Sequence, residues 1–303
     1  MQNDTLSTKK PKKWHKNRTA KIISFAILFC VCAVFLLPLI YMLGMSFRTS
    51  EDILLRPDKI FPTLEGFTFD NYKNVLFGTH IQNTGGGSVL NSLKNSLIVS
   101  GVSVVWAIIV EGLAAYAFTF LKFKGRVRIF AFVVFTMAIP GVIGTTIRYV
   151  AFAKLGQALD VMSQAWYYFA WLIIPGVADV YHVLLIKNYF DSVPYEIIES
   201  ARSDGASDFK IFLSIILPLA RSTLLLVGMF TFTSSWNNLF WANLIVGPIK
   251  KWNTITVYLS NVDNTQKGRV MAASVVSLMP ILVAFMFMQN KMIDGLASTG
   301  VKK

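Results

Sequence analysis

The sequence is poor in charged residues, in acidic residues especially, and in cysteine. Only 15% of its 303 residues are charged, and 29 Lys and Arg outnumber 16 Asp and Glu. Two cysteines cannot form the disulfide framework of a small secreted domain. No Gly-Lys dipeptide occurs, so the chain lacks a Walker A loop for the phosphates of ATP. These absences exclude a disulfide-stabilised extracellular domain and a P-loop ATPase.

Apolar residues, by contrast, make up 54% of the chain. They arrive in blocks of about 20 residues, the length that crosses the ~30 Å hydrocarbon core of a bilayer as a helix. The sequence therefore predicts an all-α polytopic membrane protein. Cys30 and Cys32 lie inside the first block, where small packing residues are a simpler interpretation than a soft metal site. We predict a basic tail over residues 1–21, a membrane domain over 22–303 and six spans, at about 22–46, 89–117, 129–151, 166–188, 214–240 and 270–290. Pro175-Gly176 breaks the fourth span, and Pro218 lies near the start of the fifth.

The excess of basic residues is arranged around the apolar blocks. Seven Lys and Arg precede the first block, and four more fall between residues 122 and 128. This arrangement is typical of membrane topology signals and not of a nucleic-acid surface. An even number of spans puts both ends on one side, and placing them in the cytoplasm leaves 18 basic residues inside and 11 outside. We therefore predict cytoplasmic termini and no binding of nucleic acid.

The segment between the fourth and fifth spans, about residues 189–213, has the pattern of a helix–turn–helix. Pro194 can begin a helix, since its missing N–H is not needed in the first turn. Asp204 and Gly205 form a stop-and-turn signal, and Ser207 or Asp208 can cap a second short helix. Apolar residues share a face in each helix: Ile197, Ile198 and Ala201 in the first, and Phe209, Phe212 and Leu213 in the second. Such a stripe must pack on the protein's own spans or on a partner.

The same segment carries the motif Glu199-Ser200-Ala201, then Gly205, then Ile215, Leu217 and Pro218. This spacing resembles the EAA loop of permeases of binding-protein-dependent ABC importers. The string from Val193 to Arg221 resembles the carbohydrate-uptake branch, of the maltose-type second permease subunit. Further matches are Asn95-Ser96, Ala114-Ala115-Tyr116-Ala117, Phe123-Lys124-Gly125, Ile139-Pro140 and Trp236-Asn237. Two positions depart from the family pattern: Ser200 replaces a commoner alanine, and Ala242 stands where proline is frequent.

The resemblance implies six transmembrane helices of the type I ABC importer permease fold, forming half of a heterodimeric pathway with a second permease subunit. The helix of the EAA loop would insert into one of two separate ATP-binding subunits through Glu199, Ser200, Ala201, Arg202, Asp204 and Gly205. ATP and Mg would bind to those partners, so this chain would hold no cofactor and catalyse no reaction. An extracytoplasmic binding protein would deliver a sugar or oligosaccharide to this subunit in a bacterial cytoplasmic membrane.

Polar residues within the spans are costly in hydrocarbon and should face protein or water. Glu111, Asp179 and His182 can mark a pathway or make helix–helix bonds, and Asp179 and His182 are close enough in sequence to pair. A denser polar run ends the fifth span and supplies the candidates for a sugar pathway, since amides bond hydroxyl groups and an indole stacks on a sugar ring: Ser235, Trp236, Asn237 and Asn238. Interhelical hydrogen bonding is the alternative for this run.

Two other functions stay open from the sequence. An ion-coupled secondary transporter would show uptake that uncouplers abolish, and a membrane scaffold or receptor would show no substrate flux. Within the importer interpretation the substrate is open as well, because importers of alditols and glycerol phosphate resemble those of sugars in this scaffold.

We expect Lys124 to face the cytoplasm and Lys59 to face the outside. Single cysteines introduced as Lys124→Cys and Lys59→Cys, in a background with serine in place of Cys30 and Cys32, would then react differently with an impermeant reagent on intact cells. Labelling at position 59 alone is the expected result. Labelling at position 124 but not at position 59 would refute the orientation.

Overall fold

The computed structural model describes residues 18–77, 88–176, 178–262 and 266–300, and within those ranges it is helical with no strands. Most of the predicted tail of residues 1–21 lies outside the described residues. The α-helices, in chain order, are α1 (Arg18–Ser46), α2 (Ser50–Leu55), α3 (Asp70–Phe77), α4 (Val89–Phe120), α5 (Arg126–Phe135), α6 (Thr145–Ala158), α7 (Ala165–Ile173), α8 (Val180–Phe190), α9 (Tyr195–Ser203), α10 (Asp208–Ile211), α11 (Leu217–Leu219), α12 (Arg221–Trp236), α13 (Leu239–Val246), α14 (Ile255–Ser260) and α15 (Lys267–Gly300).

Three helices are long and apolar enough to cross a membrane alone, namely α1, α4 and α15. Three bent pairs pass the same test together, which gives up to six spans among the described residues. The pairs are Arg126–Ala138 with Gly141–Ala158, bent by 91°, Ala165–Gly176 with Val180–Phe190, bent by 56°, and Asp208–Leu219 with Arg221–Trp236, bent by 86°. The predicted fold class, an all-α polytopic membrane protein, is confirmed.

Two of the bends lie within the spans predicted at 129–151 and 214–240. Pro140 has no N–H and disfavours a helical conformation in Ile139, whose φ of −86° and ψ of 117° are extended. The fifth segment changes direction at Ala220 and ends as a helix at Trp236, so residues 237–240 start a new element. The expected interruption at Pro175-Gly176 is present, as a short 3-10 turn over Ile174–Gly176.

Helices α4 and α12 pack against each other in the middle of the bundle, with α8 and α15 beside them. Helix α1 has α15 as its main neighbour, and its side chains from residue 21 to residue 41 are exposed on this chain. In a bilayer those exposed apolar side chains face lipid or another subunit.

One end of the bundle is organised by Arg48, which follows α1 and is fully buried. Its Nε donates to Asp52 at 2.5 Å and its Nη2 donates to the carbonyls of Asp52 and Arg56, both at 2.7 Å. A further bond reaches the Lys59 carbonyl. One guanidinium thus binds three backbone carbonyls in the segment that follows α1.

The start of α4 lies at the same end of the bundle. Asn95 donates to the carbonyls of Lys251 and Asn253 at 3.2 and 3.0 Å, and the Ser96 hydroxyl accepts from the Ile255 N–H at 2.8 Å. The Asn-Ser pair of the sequence pattern therefore ties the second span to the segment before α14. The end of α4 and the 122–128 loop lie at the opposite end, beside α9.

Candidate functional site

The loop between α8 and α12 has the local structure that its residues predict. Helix α9 begins directly after Pro194 and ends at Ser203, with Glu196 in its first turn. Gly205 has a φ of 82°, the left-handed conformation that favours glycine. Ser207 then caps α10, since its hydroxyl accepts from the Lys210 N–H at 3.4 Å. The helix–turn–helix predicted between the fourth and fifth spans is confirmed as a local structure.

The apolar residues of the loop divide between the core and the surface. Ile198, Ile211 and Phe212 are buried in a cluster to which α4 contributes Phe120 and α8 contributes Phe190. Ile197 is 39% exposed and Phe209 60% exposed. The predicted stripe is therefore only partly covered by this chain, because neighbouring residues on a helix point about 100° apart and only Ile198 reaches the core. Packing of Ile197 on a partner stays a prediction.

Arg202 joins the two short helices to the end of the second span. Its Nε and Nη2 donate to one oxygen of Asp208 at 3.1 and 2.7 Å, and its Nη1 donates to the Tyr195 hydroxyl at 3.1 Å. The hydrogen bond with Arg202 lowers the pKa of the Asp208 carboxyl below its usual value, so both members of the pair are charged at neutral pH. A longer bond of 3.4 Å reaches the Phe120 carbonyl. Arg202 therefore holds the loop in place on its own chain.

The other predicted coupling residues are at the surface of this chain. Glu199, Ser200, Asp204 and Gly205 are exposed, and Ala201 is half-buried against the Ile198 cluster. A Cβ added at Gly205 would meet no atom within 4 Å. Together with Ile197 and Phe209 these residues form a surface of small, acidic and apolar side chains, which we call the loop surface.

The polar run at the end of α12 is divided between several environments. Trp236 is 2% exposed, stacks on Phe232 with ring centroids 5.5 Å apart and belongs to a core cluster with Val75 and Tyr258. The indole packs against side chains of its own chain, and the pathway role expected for it stays a prediction. The end of α12 meets α14 and α15, whose side chains cover one face of the helix.

The remaining members of the run are less covered. Asn237 is exposed at the end of α12, and the Asn238 side chain accepts from the Trp241 N–H at 3.3 Å and so begins α13. The Ser235 hydroxyl accepts from Ser100 of α4 at 3.3 Å, an interhelical bond. A role in a substrate pathway stays a prediction for Asn237, Asn238 and Ser235.

The ionisable residues inside the spans pair differently from the expectation. His182 Nδ1 lies 3.3 Å from both carboxylate oxygens of Glu111, while the Asp179 carboxylate caps its own helix by accepting from the Tyr181 N–H at 2.8 Å. Glu111 also accepts from the Asp179 backbone N–H at 3.0 Å. An Asp179–His182 pair is thus absent, because residue 179 lies before the first turn of α8 and its side chain bonds the backbone there.

Sequence reasoning missed the partnership of Glu111 with His182. The two residues are 71 positions apart, and only the packing of α4 against α8 brings them together. The sequence shows only that an ionisable side chain in an apolar block has a high free-energy cost. That cost indicates that the side chain has a polar partner, but it does not identify the partner. Within the described ranges, no group of three or more His, Cys, Asp or Glu residues is arranged to hold a metal ion.

Comparison with known proteins places the chain in context. The family model for the binding-protein-dependent transport system inner membrane component matches residues 103–294. The alpha-glucoside transport system permease protein AglG of Rhizobium meliloti (strain 1021) is 32% identical over 78% of this chain, which spans only 60% of that relative's length. The polygalacturonan/rhamnogalacturonan transport system permease protein YtcP of Bacillus subtilis (strain 168) is 26% identical, over 95% of this chain and 99% of the relative.

Among solved structures, the chain resembles a subunit of a bacterial ABC transporter involved in the import of the acidic polysaccharide alginate. The TM-score is 0.74 at 21% sequence identity, and the match covers 93% of this chain and 99% of that one. At this identity the likeness concerns the fold.

We expect Trp236→Ala and Asn237→Ala to affect different properties. The first opens a cavity in a packed cluster and should lower stability by ~3–5 kcal/mol, with loss of assembled complex. The second removes an exposed amide and should lower sugar uptake in proteoliposomes at unchanged subunit stoichiometry. Asn243→Ala, at an exposed asparagine of α13, is the control. Normal uptake in Asn237→Ala would remove Asn237 from the pathway, and full stability in Trp236→Ala would contradict the packing role.

A second pair of variants tests whether the hydrogen bond from the Asp179 N–H to Glu111 stabilises the chain where it is interrupted before α8. Glu111→Gln keeps an oxygen that can accept from the Asp179 N–H, whereas Glu111→Leu leaves that group and the His182 ring without this partner. An unsatisfied polar group buried in the bundle costs ~1–3 kcal/mol. Thermal unfolding of the purified protein should therefore show a larger drop for Glu111→Leu than for Glu111→Gln. Equal drops in the unfolding temperature would mean that the hydrogen bond to the Asp179 N–H does not stabilise the protein.

Proposed function

Because the chain belongs to the family of binding-protein-dependent transport system inner membrane components, we propose that it is the permease subunit of an ATP-driven importer for a sugar or oligosaccharide. Relatives named as permeases for an alpha-glucoside and for polygalacturonan support this substrate class. The subunit forms half of the translocation pathway. An extracytoplasmic binding protein delivers the substrate to it, and the site of action is the bacterial cytoplasmic membrane, with both termini in the cytoplasm.

Coupling to the ATPase occurs through the 194–212 loop. The loop surface offers Ile197 and Phe209, two apolar side chains left exposed beside the acidic Glu199 and Asp204. Exposed apolar groups rimmed by polar ones are typical of a site for a protein partner. ATP and Mg bind to two separate ATP-binding subunits, and this chain is not an enzyme.

The observation that carries the proposal is the full burial of Ile198. Its cluster takes residues from α4, α8, α10 and α12, so a push on α9 is passed to three of the spans through packed side chains. Packed interiors have low compressibility and transmit displacement. Arg202 adds a charged link from α9 to Asp208 of α10 and to the Phe120 carbonyl of α4. The loop can therefore act as a rigid lever between a partner and the membrane helices.

The second permease subunit completes the pathway. The described part of this chain exposes apolar residues along several spans, among them Val142, Ile143 and Ile147 near the break of the third span. One half of a pathway leaves such faces for its counterpart and for lipid. The pathway role of Ser235, Asn237 and Asn238 belongs to this proposal, and Trp236 supports the end of α12 by packing in the core of this chain.

We expect Gly205→Asp to abolish coupled transport while the protein stays in the membrane. No described atom lies within 4 Å of a Cβ placed at Gly205, so the loss would arise at the partner's surface and from the strain of a side chain on a left-handed backbone. The measurement is substrate-stimulated ATPase activity and uptake of the reconstituted complex.

Gly125→Asp is the matched control for that variant. Gly125 also has a φ of 82° and also lies in an exposed turn at the α9 end of the bundle, but outside the coupling loop. We expect it to retain most of its activity. Wild-type ATPase stimulation and uptake in Gly205→Asp would show that the loop does not dock the ATPase.

A further inference from the structure

A cavity of about 330 Å³ lies where three interrupted segments of the chain meet. One wall comes from Gly141 and Arg148, after the break at Pro140, and another from Pro175 and Gly176 at the break of the fourth segment. Asn238 and Trp241 close it from the start of α13. The volume is at the lower end of the ~300–1,000 Å³ that small-molecule sites occupy. Cavities between broken membrane helices are places where irregular backbone is tolerated, because water or a ligand can reach it.

Arg148 brings a permanent positive charge to this cavity. Its Nη2 donates to the Gly141 carbonyl at 2.9 Å, and its Cζ lies 5.5 Å from the centroid of the Trp241 ring. No carboxylate of the described residues lies within 4.0 Å of its guanidinium nitrogens. A charge within an apolar segment is costly unless it meets protein, water or an opposite charge, so an unneutralised arginine marks a functional position.

The rest of the wall holds that arginine and adds polar capacity. Trp241 is 6% exposed, and its Nε1 donates to the Trp171 carbonyl at 2.7 Å, which fixes the indole under the guanidinium. The Asn238 side-chain oxygen accepts from the backbone N–H of Trp241. Among the described residues the Asn238 NH₂ group donates no hydrogen bond. Phe240, 64% exposed, adds an apolar face. Donors beside an aromatic surface suit a saccharide, and the free donors of a planar guanidinium suit a carboxylate.

We propose that this cavity binds a carboxylate of the transported saccharide, so that the importer takes up an acidic sugar or oligosaccharide. The inference rests on the proposed function, and it assigns Arg148 as the group that pairs with the anion. Asn238 bonds a neighbouring hydroxyl, and Trp241 keeps Arg148 in position. A neutral saccharide would leave the arginine without a counter-charge and would gain less from the same cavity.

The test measures binding to the purified complex of both permease subunits and the ATP-binding subunits in nanodiscs. Trigalacturonate and maltotriose are the probes, since they match in length and differ in charge. The wild type should bind trigalacturonate at least tenfold more tightly, and Arg148→Gln should lose roughly tenfold or more of that affinity while its affinity for maltotriose is unchanged. The affinity of Arg148→Lys for trigalacturonate should lie between those of the wild type and Arg148→Gln. Lys154→Gln, at an exposed residue of the same helix, should behave as the wild type.

Three results would overturn the proposal. The first is a wild type that binds trigalacturonate no more tightly than maltotriose. The second is an Arg148→Gln variant that binds trigalacturonate with wild-type affinity. The third is tighter binding of sn-glycerol 3-phosphate than of trigalacturonate, which would assign a phosphate as the ligand of Arg148. ATP-dependent uptake of neutral and acidic saccharides by the same complex is measured in parallel. If some saccharide is taken up but Arg148→Gln binds as the wild type does, the acidic site is wrong and the importer stands. If no saccharide is taken up, the proposed function itself fails.

Discussion

The structure depends on one constraint, that a backbone N–H or C=O group left unpaired in hydrocarbon costs several kcal/mol. The chain nevertheless bends sharply in three of its six candidate spans. At each bend a side chain satisfies a freed backbone group. Arg148 donates to the Gly141 carbonyl, Glu111 accepts from the Asp179 N–H, and the Tyr189 hydroxyl donates to the Leu219 carbonyl at 2.6 Å. Glu111, which the sequence marks as costly in an apolar block, is thus one of the side chains that stabilise the bends.

The sequence predicts the elements whose cause is local. The length of the apolar blocks predicts the spans, and Pro175-Gly176 predicts the interruption of the fourth. Pro194, Gly205 and Ser207 predict where the short helices of the loop between the fourth and fifth segments begin and end. It does not predict features that depend on how one helix is rotated against another. The partner of His182, the burial of Trp236 and the division between Ile197 and Ile198 are all of this kind. A polar or apolar side chain shows that a partner is required, while its identity comes from packing.

The two ends of the bundle are built in different ways. At the end that holds α9, a single apolar cluster joins the loop to three spans, and Arg202 adds a short ionic link. At the other end, Arg48 and Asn95 bind backbone carbonyls of segments that carry little regular structure. Apolar packing transmits a displacement, whereas hydrogen bonds to carbonyls hold loops at a set position. This division suits a protein that receives force at one end and presents a fixed surface at the other.

The position of α1 has a consequence for how the protein is made. This helix packs mainly on α15, which is synthesised after every other described element. Chains emerge from the ribosome N-terminal part first, at about 5–20 residues per second. Helix α1 therefore enters the bilayer long before α15 has been synthesised. Its apolar surface is compatible with lipid on all sides during that time. The packing of α1 is therefore completed only after α15 has been synthesised, and a ribosome that stalls before α15 leaves α1 in the membrane without its main neighbour.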